Sequence, residues 1–195
     1  MFRGSIGIGR ILGIPIRLDY SWFIIFLLIT YQLANIGTSS MGIVFVNPFF
    51  RYFISAVTAI LLFASVLLHE LGHSYIALRK GIPIRSITLF IFGGVAEITQ
   101  EPRTAVDEIE IAVAGPLVSV AIAAICWSLY TLQPLLHIPD WLFFILYFIA
   151  QVNTAIIIFN LIPGFPLDGG RIFRAFLWKF SDNLKKATRI SVLSL

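Results

Sequence analysis

Two histidines, His69 and His73, lie four residues apart in the sequence, and Glu70 directly follows the first of them. On an α-helix, positions i and i+4 share one face, so both imidazoles can bind the same zinc ion. Glu70 then lies beside the metal, where its carboxylate can take a proton from a water molecule. The spacing predicts a zinc-dependent hydrolytic site on a helix. The alternative is a buried, hydrogen-bonded cluster that holds no metal.

A catalytic zinc ion is usually held by three protein side chains and a water molecule, so a third ligand is needed. We expect Asp168 to be that ligand. It lies in a segment rich in Pro and Gly, residues 162–170, where the backbone can approach the metal-binding helix. The alternative for this carboxylate is a cap on a helix or a turn. We expect His137 to lie on the surface, and most of the remaining acidic residues in this part of the chain to be solvated: Glu97, Glu101, Asp107, Glu108 and Glu110.

The composition places these residues in a membrane protein. Hydrophobic residues make up 58% of the 195 residues and charged residues 12%, whereas a soluble domain is nearer half apolar and a quarter charged. The mean hydropathy is +0.93. Apolar stretches of roughly 20 residues can cross a bilayer, and they predict spans near 20–36, 53–78, 106–132 and 141–180, the last broken around 162–170. The expected fold is an all-α polytopic membrane protein with four or more transmembrane helices.

A small β element is expected between the second and third spans. Residues 84–98 are rich in β-branched and aromatic side chains and contain Gly93 and Gly94, which favours one or two strands with a turn. Open strand edges are not tolerated against lipid. The element is therefore expected to be interfacial or re-entrant, with an ordinary cytosolic hairpin as the alternative.

The basic residues predict an orientation in the membrane. Of the 14 Lys and Arg residues, only Arg51 falls in an outer loop if the first span begins in the cytosol. The positive-inside rule then places the N-terminus in the cytosol and the histidines nearer the cytosolic side of a multi-pass cell-membrane protein. The net charge of +4 is explained by this topology, and no nucleic acid is expected as a partner. Cys126 is the only cysteine, which excludes an internal disulfide and a cysteine-based zinc site.

At this point the motifs resemble those of the site-2 protease family of intramembrane zinc metalloproteases, and the resemblance covers nearly the whole chain. His69-Glu70-x-x-His73 is similar to the metal-binding helix of that family. The second signature motif is matched by Asn160-x-x-Pro163-x-x-Pro166-x-Asp168-Gly169. Gly93-Gly94 and Gly115-Pro116 also resemble family landmarks.

The resemblance implies a fold, a cofactor and a substrate class. It implies one Zn²⁺ per chain bound by His69, His73 and Asp168, with Glu70 as the general base, and it implies that Asn160 lies near the reacting carbonyl. The substrate would be a transmembrane protein segment, cut inside the lipid bilayer near its cytosolic side. An unwound substrate would pair with the strand around residues 91–96. Neither the particular substrate nor the oligomeric state follows from the sequence.

Two further expectations concern what the chain includes and what it does. The segment 81–104 is too short to hold the PDZ domain that some relatives carry there, and we expect additional helices or a regulatory domain beyond residue 195. The alternative function is that of a metal-binding membrane protein or transporter without proteolytic activity. A pseudoprotease ranks below both, because the residues needed for catalysis are present. Glu70 favours the enzyme, because a transporter has no evident need for a base beside two metal ligands.

Overall fold

The fold was analysed in a computed structural model, which describes residues 4–40, 47–164, 166–181 and 188. Four strands are present in this part of the chain: β1 (Ser5–Ile11), β2 (Ile14–Asp19), β3 (Ile84–Phe90) and β4 (Gly93–Ile98). The helices are α1 (Tyr20–Ser40), α2 (Pro48–Arg79), α3 (Ala105–Thr131), α4 (Gln133–Leu136), α5 (Asp140–Asn160) and α6 (Asp168–Ser181). The expected architecture of apolar helices with a small β element is confirmed in this coarse form.

Three of the described helices, α2, α3 and α5, are long and apolar enough to cross a membrane. The apolar part of α1, Tyr20–Ile36, is shorter. The structure therefore supports three membrane-crossing helices among the described residues, where four or more were predicted. Many large apolar side chains on these helices remain exposed, for example Leu27, Ile125 and Ile158. Such extensive apolar surface is unusual for a protein surrounded by water and fits contact with lipid.

The sheet has the strand order β1-β2-β3-β4. Strand β2 pairs parallel with β3, and the other two pairs are antiparallel. The N-terminal hairpin, formed by β1 and β2, was not predicted from the sequence. Within β2 the side chains alternate, so that Ile14 and Ile16 are buried against Leu71 of α2 and Ile87 of β3. One face of the sheet thus packs directly on the helix that carries the two histidines.

Local sequence signals define the ends of the two central helices. Asn47 caps α2 by accepting a hydrogen bond from the backbone N–H of Phe49, and Pro48 begins the helix. Helix α2 ends before Gly81, which adopts a positive φ of 75° that favours glycine. Thr104 caps α3 through the backbone N–H of Asp107. These capping interactions fix where the histidine-bearing helix and its main neighbour begin and end.

Helix α3 lies at the centre of the helical part and packs against α2, α5 and α6. Helices α2 and α3 approach closely at Gly72, where a Cβ would lie 2.8 Å from the main-chain oxygen of Ala114. Lys80, just after α2, forms ion pairs with Asp107 at 2.9 Å and Glu110 at 2.6 Å on the first turns of α3. Hydrogen bonds to these two carboxylates raise the pKa of the Lys80 ammonium group.

The helical structure is interrupted between α5 and α6. Helix α5 ends at Asn160 and α6 begins at Asp168, with turns between them. Two prolines in this connection, Pro163 and Pro166, remove backbone donors that a continuous helix would need. Helix α6 then packs on α3, which brings its first residue back toward the centre of the molecule.

Candidate active site

The two histidines lie on consecutive turns of α2 and are both buried, each with 4% of its surface exposed. Their Nε2 atoms are 3.2 Å apart. This proximity follows from the i, i+4 spacing on a regular helix. Glu70 occupies the next position along the helix and lines an adjoining cavity together with both histidines.

Asp168 contacts the two histidines from the start of α6, after the interruption that follows α5. Its carboxylate oxygen Oδ2 lies 3.2 Å from Nε2 of His69 and 3.2 Å from Nε2 of His73. It is the first residue of α6, a position where the helix dipole also favours a negative charge. The structure therefore brings together the three residues that the sequence analysis selected as metal ligands.

The three atoms are arranged as a zinc ion would require. Ligand atoms bound at 2.0–2.1 Å to a tetrahedral zinc ion are about 3.3 Å from one another, and the three observed separations are each 3.2 Å. Two imidazoles and one carboxylate leave a fourth position for water, as in catalytic zinc sites. The donor set formed by His69, His73 and Asp168 therefore fits a zinc ion.

Helix α3 orients both imidazole rings through their other nitrogen atoms. His73 Nδ1 lies 2.7 Å from the carbonyl oxygen of Ile111, which can only accept, so Nδ1 carries the hydrogen and a neutral ring has its lone pair on Nε2. His69 Nδ1 lies 2.9 Å from the hydroxyl oxygen of Ser119. Such contacts behind metal-binding histidines fix the tautomer and the ring orientation.

Two glycines make room for the site. A Cβ at Gly115 of α3 would collide with the imidazole ring of His73. At Gly94 of β4, a Cβ would lie 2.6 Å from Cγ of Glu70. Helix α3 and strand β4 can therefore approach the histidine-bearing helix only because both positions lack a side chain.

A cavity of about 510 Å³ opens in front of the cluster. Its polar lining includes Glu70, Asn160 and Arg171, and β4 contributes residues 94–96 to its wall. A smaller cavity of about 170 Å³ lies next to it and is also lined by Glu70 and Asn160. Asn160, the last residue of α5, thus lines both cavities together with Glu70.

Sequence reasoning missed several residues around the site. Ser119 and Ile111 contact the histidines from α3, and Arg171 lines the main cavity. Most of the five acidic residues were expected to be solvated, and Glu108 is the exception, because it is fully buried and pairs with Arg174. The available signal for Arg171 was its position directly after the Asp168-Gly169-Gly170 motif. His137 lies outside the site and is exposed, as expected.

A buried cluster of two histidines and one carboxylate, beside a glutamate in a cavity, is an arrangement that fits a metal-dependent hydrolase, and the histidines lie on a helix long and apolar enough to cross a membrane. Comparisons with known proteins agree. The model of peptidase family M50 matches residues 57–139 and 134–194. The site-2 protease from Methanocaldococcus jannaschii is 35% identical in sequence, with a TM-score of 0.62, over 96% of this chain and 77% of that chain.

Two curated relatives extend the comparison. The chain is 42% identical to the zinc metalloprotease MJ0392 of Methanocaldococcus jannaschii, over 96% of this chain and 49% of the relative. It is 38% identical to the Synechocystis protein sll0528, over 97% of this chain and 48% of the relative. The chain belongs to peptidase family M50, and the resemblance to the site-2 proteases is confirmed. It spans about half the length of the curated relatives it matches.

Proposed function

We propose that this chain is the catalytic core of a zinc endopeptidase that cuts transmembrane segments of membrane-tethered proteins inside the bilayer. The observation that carries the proposal is the mutual 3.2 Å spacing of His69 Nε2, His73 Nε2 and Asp168 Oδ2, with Glu70 beside them in the same cavity. His69, His73 and Asp168 would hold one zinc ion. When bound, zinc would supply a Lewis acid that acidifies a water molecule and polarises the scissile carbonyl.

Glu70 would act as general base and then as general acid. Its carboxylate accepts a proton from the attacking water, whose oxygen forms a bond to the carbonyl carbon of the substrate. The same carboxyl group then gives the proton to the leaving nitrogen as the peptide C–N bond breaks, which yields a carboxylic acid and an amine. Gly94 supports this role because it lets β4 approach the Glu70 side chain closely.

Asn160 would stabilise the negative charge that develops on the carbonyl oxygen. It lines the main cavity together with Glu70 and the metal cluster, and its side-chain amide can donate hydrogen bonds.

Strand β4 would hold the substrate in an extended form. It lies at the edge of the sheet, pairs only with β3 among the described strands, and contributes to the cavity wall. A helix resists hydrolysis because its backbone groups are hydrogen-bonded internally, and pairing with an edge strand compensates for unwinding. The proposal includes a β element that is interfacial or re-entrant, and the distribution of basic residues supports an N-terminus and a site toward the cytosol.

The proposal is tested by zinc content and by cleavage of a model substrate that carries one transmembrane helix, both measured in proteoliposomes. Zinc removal by a chelator is expected to abolish cleavage, and added zinc to restore it. Glu70→Gln should keep zinc and lower the cleavage rate by about 10²-fold to 10⁴-fold. Asp168→Ala should lose zinc, and Gln151→Ala, at an exposed position of α5, should do neither.

Two outcomes would overturn the proposal. If Glu70→Gln cleaves at the wild-type rate, the mechanism is wrong. If the wild type binds zinc and moves it across the membrane but cleaves nothing, the chain is a metal transporter. Unchanged zinc content in Asp168→Ala would remove this residue from the ligand set.

A further inference from the structure

One face of α3 contacts every element that supplies a proposed metal ligand. Glu108, Ile111, Gly115 and Ser119 are separated by three, four and four residues, so they form a single stripe along the helix. Ser119 contacts the ring of His69, while Ile111 and Gly115 contact the ring of His73. This stripe therefore positions both histidines of α2.

The first residue of the same stripe, Glu108, contacts α6. The proposed orientation places this end of α3 on the cytosolic side. Arg174 donates to Oε1 of Glu108 from Nε at 2.8 Å and also from one terminal nitrogen. Glu108 is fully buried, and only 8% of the Arg174 surface is exposed. Arg174 lies six residues after Asp168 on a helix of 14 residues, so a fixed position for Arg174 also fixes the height of Asp168.

The packing of α6 on α3 explains how the Glu108–Arg174 pair can control the position of Asp168. Among the described residues, α6 packs mainly on α3 and much less on the histidine-bearing α2 that its first residue reaches. Buried ion pairs add little net stability, because desolvation offsets the attraction, but they can specify one arrangement among several. A one-turn slide of α6 along α3 would move Asp168 by about 5.4 Å, well beyond reach of the two histidines.

We propose that Glu108 and Arg174 form a positioning pair that sets the register of α6 on α3 and thereby delivers Asp168 to His69 and His73. The inference rests on the proposed function in one respect, since it takes these three residues as the zinc site. In this role neither Glu108 nor Arg174 contacts substrate or metal.

The test separates positioning from stability by comparing two kinds of variant. Glu108→Gln removes the charge, and the paired variant Glu108→Leu with Arg174→Met replaces the ion pair by apolar side chains, a change that is often neutral or stabilising for folding. Zinc affinity is measured by competition with a chelator, and the geometry of the ligands by the visible absorption spectrum of the Co²⁺-substituted protein. Glu110→Gln is the matched control, because Glu110 lies two residues away on α3 and pairs at the surface with Lys80.

Both Glu108 variants are expected to bind zinc at least about 10-fold more weakly than wild type and to show an altered Co²⁺ spectrum, as for other residues that orient metal ligands. The control should match wild type in both measurements. If the paired apolar variant folds with wild-type thermal stability, affinity and spectrum, the pair is only structural and the inference is wrong. If Glu108→Gln does not fold, the paired variant alone decides.

The failure of this inference and the failure of the proposed function give different results. A wild-type protein that binds no zinc, and neither cleaves the model substrate nor shows a Co²⁺ spectrum, overturns the proposed function. A wild-type protein that binds zinc and cleaves, together with an unaffected paired variant, overturns the positioning role alone.

Discussion

The Nδ1 atom of His73 on α2 lies 2.7 Å from the carbonyl oxygen of Ile111 on α3. A backbone carbonyl inside a helix is normally bonded to the N–H four residues later, and here it also receives a side-chain donor through its second lone pair. The contact is possible because Gly115, one turn further along α3, leaves space for the imidazole ring. The orientation of a proposed metal ligand thus depends on the backbone of a neighbouring helix.

Replacing Ser119 with alanine should weaken zinc binding. The serine hydroxyl is the contact that orients His69 through Nδ1, and the alanine variant leaves this buried ring nitrogen without a partner. Loss of such a contact typically costs 10-fold to 100-fold in metal affinity, so we expect a decrease of about that size in competition with a chelator. Ser128→Ala, at an exposed position of the same helix, is the control. Equal affinities of the two variants would show that Ser119 does not orient the ligand.

Replacing Gly115 with alanine should displace His73. The added Cβ would collide with the imidazole ring, which is buried and hydrogen-bonded and therefore has little freedom to move. Overpacking of this kind costs about 1–3 kcal/mol, and here the strain falls directly on a proposed ligand. We expect lower zinc content after purification and an altered Co²⁺ spectrum. Gly7→Ala is the control, because a Cβ there meets open space. A Gly115→Ala protein with wild-type zinc content would contradict the close packing.

The sequence was informative where the relevant geometry is local. The i, i+4 spacing places His69 and His73 on one face of any regular helix, and the prolines near Asp168 mark a break whatever the tertiary structure is. Strands within residues 84–98 were predicted from their β-branched and aromatic content. The stripe on α3 could not be found in this way, since that helix is apolar around most of its circumference and its useful face is defined only by its neighbours.

The N-terminal hairpin shows the same limit. Strand β1 contains two glycines, Gly7 and Gly9, which weaken the signal for a strand, and all but its first residue are exposed. The role of its partner β2 in the fold depends on the burial of Ile14 and Ile16 against α2 and β3, which only the tertiary structure shows. Burial of Glu108 likewise depends on Arg174, a residue 66 positions away in the chain. Interactions at that distance are set by tertiary packing and leave no periodic signal in the sequence.

Replacing Asn160 with alanine should slow cleavage without loss of zinc. Asn160 lines the cavity but is not one of the three clustered ligand residues, so the metal site should remain intact. Removal of a donor to a developing oxyanion typically lowers kcat by about 10²-fold to 10³-fold. The measurement is kcat on the model transmembrane substrate, with zinc content determined on the same samples. Should kcat stay at the wild-type value, the charge must be stabilised by another group, and Arg171 on the same cavity wall is the first residue to examine.

The orientation in the membrane predicts which loops face the cytosol. Cys126 is the only cysteine of the chain and is buried, with 8% of its surface exposed. A Cys126→Ser protein therefore offers a background without a reactive thiol. Gln100→Cys lies in the exposed segment between β4 and α3, and Leu135→Cys lies in α4, between α3 and α5, where the native side chain is 74% exposed. In intact cells, a membrane-impermeant maleimide should label Leu135→Cys and spare Gln100→Cys, because the basic residues place the latter inside. After the cells are opened, both variants should react.

The reverse labelling pattern would invert the proposed topology and place the metal cluster nearer the outer side. Labelling of both positions in intact cells would mean that α3 does not cross the bilayer, since these two positions lie on either side of that helix. Helix α3 has 27 residues and an apolar stretch long enough to span, so protection of Gln100→Cys alone is the expected result. Because the first half of α3 contacts both proposed histidine ligands, the direction of this helix across the membrane decides which side of the bilayer the cluster lies nearer.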